Sequence, residues 1–168
     1  PQIKKLVETK NSEEMGGLIS METSFGLNLL TKKKFILFNK IKKIDPNNRL
    51  FNKELGGGCI LDLGCYPASL SLLVASQSKG ADHKKFKITD VRKKIGPTGI
   101  DIDSACVLVF EGGFKSEIKA SFENNIGNKS IINFEKGTLI MNDTWFGTNG
   151  ITKIVNGKRS VIENKMTR

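Results

Sequence analysis

The second half of the chain consists of short segments of alternating polarity joined by hairpin turns, and this arrangement constrains the fold more than any other feature. The alternation predicts strands at 86–95, 104–110, 114–122, 129–135, 137–142, 151–155 and 158–163. Asn156-Gly157 is a strong two-residue hairpin signal, and Glu111-Gly112-Gly113 joins another pair of strands. Strands connected by such short turns pair with their neighbours in an antiparallel manner.

One long apolar segment precedes these strands and predicts a buried helix over roughly residues 58–77, because apolar side chains surround it on most sides. Before it, the spacing predicts a helix at 2–9, a strand at 18–29 and irregular chain at 30–55, where Asp45-Pro46-Asn47-Asn48 marks a turn. This order predicts an α+β domain with an open, mainly antiparallel sheet and helices on one face. The length of 168 residues fits one domain.

The net charge of +10 raises the question of a nucleic-acid partner. Arginine is the basic residue that contacts phosphates and guanine edges through two parallel hydrogen bonds. Of the 27 basic residues, however, only Arg49, Arg92, Arg159 and Arg168 are arginines, and the lysines are spread along the whole chain. The pattern therefore favours a lysine-rich surface, and we expect no nucleic-acid partner.

Other features of the composition indicate a cytoplasmic protein that does not span a membrane. The longest apolar stretch, 59–75, is interrupted by Asp62, Pro67 and Ser69, and no signal peptide is visible. The cysteines are odd in number and include no Cys-x-x-Cys pair, which indicates buried, reduced thiols. A single histidine makes a metal site improbable.

The start of the apolar helix is the segment with candidate chemistry. The Gly56-Gly57-Gly58 triplet allows another backbone or a ligand to approach closely. It is not a dinucleotide-binding fingerprint, because Leu61 stands where the last glycine would be. Asp62 and Tyr66 are four residues apart, which predicts one shared helical face, and Pro67 predicts a kink beside them. From spacing alone, the two could be a catalytic pair, or a dipole-compensating acid and a core aromatic residue.

Residues 54–67 read ELGGGCILDLGCYP, and this segment resembles the motif that opens the C-terminal domain of the glucose–fructose oxidoreductase / inositol dehydrogenase (Gfo/Idh/MocA) family. It is most similar to the dimeric dihydrodiol dehydrogenase branch, which carries tyrosine where inositol dehydrogenases carry histidine. Weaker similarities follow the family's order along the chain, at Pro1-Gln2 and at 15–18, 101–104 and 135–139.

The resemblance implies an enzyme that moves hydride between a nicotinamide and the CH–OH group of a sugar, polyol or dihydrodiol. NAD or NADP would be held by an N-terminal Rossmann domain that this chain lacks, so 1–168 would be the single C-terminal domain of a two-domain enzyme. Tyr66 would transfer the proton and Asp62 would be its partner acid. Gly57, Gly58 and Ser69 are expected substrate contacts, and so is Arg49, on the separate ground that it lies shortly before the glycine triplet.

A phenol with a pKa near ~10 needs a nearby cation to act as a base at neutral pH. The family supplies this cation from a Glu-Lys-Pro motif on the first domain, whereas here Glu135-Lys136 is followed by Gly137. The resemblance also implies a homo-oligomer formed through the sheet face. The main alternative is a non-enzymatic binding or scaffold domain that uses the sheet face alone.

Overall fold

The computed structural model describes residues 13–35, 38–41, 44–78, 81–141 and 150–163, so the helix expected at 2–9 lies outside the described residues. The strands are β1 (Leu18–Gly26), β2 (Thr31–Phe35), β3 (Phe38–Ile41), β4 (Asp82–Ile95), β5 (Asp101–Glu111), β6 (Lys115–Ser121), β7 (Ser130–Phe134), β8 (Gly137–Met141), β9 (Gly150–Val155) and β10 (Lys158–Glu163). The helical elements are 3₁₀ turns at Glu13–Met15, Arg49–Phe51 and Lys53–Leu55, a π-helical turn at Ile60–Gly64 and the α-helix α1 (Cys65–Ser76).

Eight strands form one open sheet in the order β10-β9-β8-β7-β1-β6-β5-β4. The first strand, β1, lies inside the sheet, where it runs parallel to β6 and antiparallel to β7. The other neighbours pair antiparallel. The turn between β9 and β10 has positive φ at both Asn156 and Gly157, as its sequence predicts. The predicted mainly antiparallel α+β fold is therefore confirmed.

The region 30–55, which we expected to be irregular, contains a hairpin that the sequence pattern does not reveal. Strands β2 and β3 pair with each other in a separate two-stranded sheet. Their lysine-rich sequence lacks the alternation of apolar and polar residues by which strands are recognised. The expected turn at Asp45-Pro46-Asn47-Asn48 is present, with the Asn48 amide donating to the Asp45 carbonyl.

Helix α1 packs on one face of the sheet, and the core lies between them. Its residues Leu70, Val74 and Ala75 are nearly fully buried against residues from the inner strands, among them Met21 and Leu108. A second cluster lies where the helix begins and includes Phe25, Phe51, Cys59, Leu63, Ile102, Ala120 and Phe122. Burying one large apolar side chain stabilises the fold by about 1.5–3 kcal/mol, so these clusters hold the start of the helix against the sheet.

The helical turns from Lys53 to Ser76 form a stretch of 24 residues that is long and apolar enough to cross a membrane by length and composition. The expectation that the chain does not span a membrane stays a prediction. Half of its most apolar window is buried inside the domain, as for the core helix of a folded protein.

The three cysteines are free thiols, but they are not all buried as expected. Cys59 is buried, Cys106 is half-buried and Cys65 is exposed. Cys65 begins α1 on the side that faces away from the sheet, because Leu63 and Gly64 before it fill the inward positions.

Candidate active site

The glycine triplet joins the Arg49–Phe51 turn to the start of the helix. The Gly57 amide donates to the Asn52 carbonyl over 2.8 Å, and the Gly58 amide donates to the Leu50 carbonyl over 3.1 Å. A Cβ at Gly57 would lie 2.8 Å from the Arg49 carbonyl oxygen, closer than real Cβ contacts come. The close approach that the sequence predicted here is therefore that of another backbone segment.

Gly58 is constrained from its other side by Asp101, the first residue of β5. Its φ of 129° lies in a region that only glycine adopts readily, and a Cβ would overlap Asp101 Oδ1. The amides of Gly57 and Gly58 are both used inside the chain. These two amides are therefore not free donors, and the contact of Gly57 and Gly58 with a substrate stays a prediction.

The helix does not begin as the sequence predicts. Residues Ile60–Gly64 form a π-helical turn, and the α-helix begins only at Cys65. Pro67 lies in the first turn of α1, where its missing N–H group costs little, so it does not kink a helix interior. The prediction that Asp62 and Tyr66 share one helical face assumed an α-helix at both residues. Asp62 instead lies in the π-helical turn. Such π-helical turns are frequent at functional sites.

Asp62, in the π-helical turn, forms an ion pair with Arg49, in the 3₁₀ turn Arg49–Phe51. Arg49 Nη2 donates to Asp62 Oδ1 over 2.6 Å. The arginine side chain is 61% exposed and the aspartate side chain 21% exposed. An ion pair this exposed contributes only about 0–1 kcal/mol to stability, so its main consequence is to orient the carboxylate. The partner of Asp62 is thus Arg49, the residue that was expected to contact the substrate.

Tyr66 lies at the surface, two residues after the end of the π-helical turn. Its side chain is 51% exposed, and its ring packs edge to face on Phe25 with 5.5 Å between the ring centres. Within the described part of the chain, its hydroxyl makes no hydrogen bond, including none to Asp62. The aromatic contact holds the ring on one side and leaves the phenol oxygen open to a ligand. Phe25 could not be assigned to the site from the sequence, because β1 and α1 meet only in the folded domain.

The remaining candidate, Ser69, is exposed one turn further along α1. Its hydroxyl donates to the Cys65 carbonyl over 2.7 Å, and its oxygen stays available as an acceptor. Below the site, burial together with the Asp101 carboxylate raises the pKa of the Cys59 thiol far above its ordinary value. Cys59 therefore remains a neutral thiol within the core and takes no part as a nucleophile.

The comparisons with known proteins agree with the resemblance seen in the sequence. Residues 2–140 match the family described as the GFO/IDH/MocA C-terminal domain. A trans-1,2-dihydrobenzene-1,2-diol dehydrogenase from Xenopus tropicalis is 29% identical over 113 residues, which cover 66% of this chain and 31% of that protein. The enzyme of the same name from Xenopus laevis is 28% identical over 67% of this chain and 32% of its own length. The chain spans about a third of the length of these curated relatives.

Solved structures share the fold at low sequence identity. A 3-ketoreductase from Actinomadura kijaniata in complex with NADP and TDP-benzene superposes with a TM-score of 0.74 at 14% identity, covering 97% of this chain and 45% of that protein. An aldose–aldose oxidoreductase from Caulobacter crescentus complexed with glycerol gives a TM-score of 0.70 at 15% identity, covering 99% and 44%. From the family match over most of its length and from the fold, the chain belongs to the GFO/IDH/MocA family and corresponds to its C-terminal domain.

Proposed function

We propose that this chain is the substrate-binding and catalytic half of an NAD(P)-dependent oxidoreductase that acts on the CH–OH group of a sugar, polyol or dihydrodiol. The curated relatives are diol dehydrogenases, and they support a diol among these classes. Because the chain spans about a third of their length, we propose that NAD or NADP is bound by another domain of a longer protein.

One observation carries the proposal: where the helix begins, an exposed phenol follows four residues after a carboxylate that an arginine holds in place. The Tyr66 side chain is exposed, and its hydroxyl is free of bonds to the other described residues. Asp62 lies four residues before Tyr66 in the chain and is held by Arg49. The carboxylate is partly shielded and the phenol is half exposed. In the proposed complex, a substrate hydroxyl approaches both from the solvent side. Such an arrangement suits proton transfer to and from an alcohol.

Exposed apolar side chains near this site support contact with a second domain. Leu55 precedes the glycine triplet and is 57% exposed, while Leu61 lies in the π-helical turn and is 63% exposed. Leu27, directly after β1, is also largely exposed. An exposed apolar patch is typical of an interface, and we propose that a second domain covers these three side chains and closes the site against water.

The start of the helix does not fit the pyrophosphate of a dinucleotide. A phosphate site at a helix start needs free backbone amides. Here the Gly57 and Gly58 amides bond to backbone carbonyls, and the Ile60 amide donates to Asp101 over 2.8 Å. We therefore place the NAD or NADP site on the other domain, and only the substrate side of the reaction on this chain.

In the proposed reaction, Tyr66 accepts the proton of the substrate hydroxyl when the carbinol carbon is oxidised, and returns it in the reverse direction. Asp62 accepts a hydrogen bond from a second hydroxyl or from a cation on the other domain. Arg49 holds the Asp62 carboxylate in place through a charge-assisted hydrogen bond. Ser69, one turn after Cys65, is placed to accept a hydrogen bond from the substrate's far end.

The test is an assay of the full-length protein with NAD and with NADP against trans-dihydrodiols, polyols and sugars. We expect formation of the reduced nicotinamide with at least one of these classes. A folded protein that binds either cofactor and oxidises none of them contradicts the proposal. That outcome would favour the alternative, a binding or scaffold domain that uses the sheet face.

The sheet face opposite α1 is the surface we propose for self-association. This face carries both signs of charge. Glu117 forms ion pairs with Arg92, at 2.7 Å between Oε1 and Nη2, and with Lys119, at 2.9 Å between Oε2 and Nζ. A two-fold interface places the same patch on both subunits, and a patch of mixed charge is able to complement itself. We expect sedimentation of the full-length protein to show an oligomer that Lys119→Glu weakens. A monomeric wild-type protein contradicts this proposal.

A further inference from the structure

Asp101 forms a compact hydrogen-bonded cluster at the start of β5. Its Oδ2 atom accepts from the Ile60 amide at 2.8 Å, from Ser104 Oγ at 2.9 Å and from Cys59 Sγ at 3.0 Å. Cys59 is fully buried and Ser104 is 7% exposed, so these bonds lie in a shielded environment. A carboxylate there is costly unless hydrogen bonds compensate it, and three donors on one oxygen provide that compensation.

The elements that carry the candidate site are tied to one another through the glycine triplet. The Gly57 and Gly58 amides bond to the Asn52 and Leu50 carbonyls, which belong to the turn that carries Arg49. The Gly58 carbonyl in turn accepts from the Asp62 amide over 3.1 Å. Arg49 and Asp62 therefore belong to one connected unit, the glycine-turn unit, defined as residues 49–62.

Asp101 links this unit to the sheet. The Ile60 amide is inside the glycine-turn unit, and its acceptor is 41 residues away in the chain, on β5. The space beside Gly58 is filled by Asp101 as well, so the same side chain limits how the unit can shift. No side chain of the unit's own caps the start of the π-helical turn, and Asp101 takes that role.

We propose that Asp101 is a positioning residue for the candidate active site: by bonding Ile60, Cys59 and Ser104 through one oxygen, it fixes the glycine-turn unit to β5. This inference rests on the proposed function of the Asp62 and Tyr66 site. Asp101 touches no reacting group. It acts through Ile60, two residues before Asp62, and through the start of the helix on which Tyr66 lies.

The experiment compares Asp101→Ala, Asp101→Asn and Asp103→Ala in the full-length protein. Turnover is measured with the substrate found in the assay, and the position of Tyr66 is followed by ¹⁹F NMR of fluorotyrosine-labelled protein. The Tyr66 signal is identified as the one that Tyr66→Phe removes. Because small displacements of catalytic groups cost about 10²-fold in rate, we expect Asp101→Ala to lower kcat by about that factor. The KM for the cofactor should stay the same, and the Tyr66 signal should move or broaden.

Asp101→Asn keeps one acceptor oxygen, and we expect it to recover part of the rate and of the original signal. Asp103→Ala is the matched control, because it removes the same charge from the same strand and a single hydrogen bond from Ser121. We expect Asp103→Ala to leave kcat and the Tyr66 signal unchanged. If Asp101→Ala does not fold, Ser104→Ala removes one donor to the same oxygen and should shift the same signal to a smaller extent.

A folded Asp101→Ala protein with normal kcat and an unmoved Tyr66 signal overturns the inference, even if its melting temperature falls. This failure is distinct from failure of the proposed function. If only the inference about Asp101 fails, Tyr66→Phe still abolishes turnover. If the proposed function fails, Tyr66→Phe leaves turnover unchanged. The NMR signal reports on positioning in both cases.

Discussion

Tyr66→Phe is expected to lower kcat by about 10²–10⁴-fold in the full-length protein, the usual contribution of a proton-transferring side chain. The substitution removes one oxygen atom and keeps the ring that packs on Phe25. The hydroxyl makes no hydrogen bond to any other described residue, so the fold should lose almost nothing. Cofactor affinity should be unchanged, because we place that site on another domain. Steady-state kinetics and a cofactor titration check both parts.

The matched control for this substitution is Ser76→Ala, which removes one hydroxyl from the far end of the same helix. The Ser76 hydroxyl only donates to the Leu73 carbonyl over 2.8 Å, remote from the site. We expect Ser76→Ala to keep the wild-type kcat. If Tyr66→Phe also retains the wild-type kcat, Tyr66 is not the group that transfers the proton.

Gly58→Ala is expected to have the largest effect on stability, lowering the free energy of unfolding of the domain by about 2–6 kcal/mol. A φ of 129° in a non-glycine residue costs about 1–3 kcal/mol. Overlap of the new methyl group with Asp101 adds about 1–3 kcal/mol, since the carboxylate is held by three donors and cannot move away freely. Urea unfolding of the variant against the wild type measures the difference.

Gly56→Ala separates the two causes. Gly56 also has a positive φ, of 72°, but nothing lies within 4 Å of the position a Cβ would take. Its expected cost is that of the left-handed backbone alone, about 1–2 kcal/mol. Equal losses in the two variants would show that contact with Asp101 adds nothing at Gly58.

The secondary structure of the second half could be predicted well because its signals are local. Alternation of polarity and hairpin turns such as Asn156-Gly157 act over a few neighbouring residues, and the strands formed close to where they were expected. The β2–β3 hairpin was missed since its lysine-rich strands carry no alternation to read. The π-helical turn was missed because composition does not distinguish it from the start of an ordinary helix.

The candidate site was predictable as a set of residues but not as an arrangement. Its motif drew attention to Asp62, Tyr66 and Arg49, yet proximity in sequence suggested that Arg49 would reach the substrate. In the folded domain Arg49 bonds Asp62, and its contact with a substrate stays a prediction. The contact between Phe25 and Tyr66 could not be predicted from the sequence, because the two residues meet only when β1 packs against the helix.

By itself, the sequence determined which segments become strands, where the chain turns and which helix is apolar enough to be buried, because these properties depend on residues close together in the chain. Only the tertiary structure decided that β1 inserts between β6 and β7, that Asp101 secures the start of the helix and that Gly58 must remain glycine. Each of these depends on contacts between residues far apart in the chain. Such contacts are selected by packing and hydrogen-bond satisfaction of the whole domain, which no local pattern encodes.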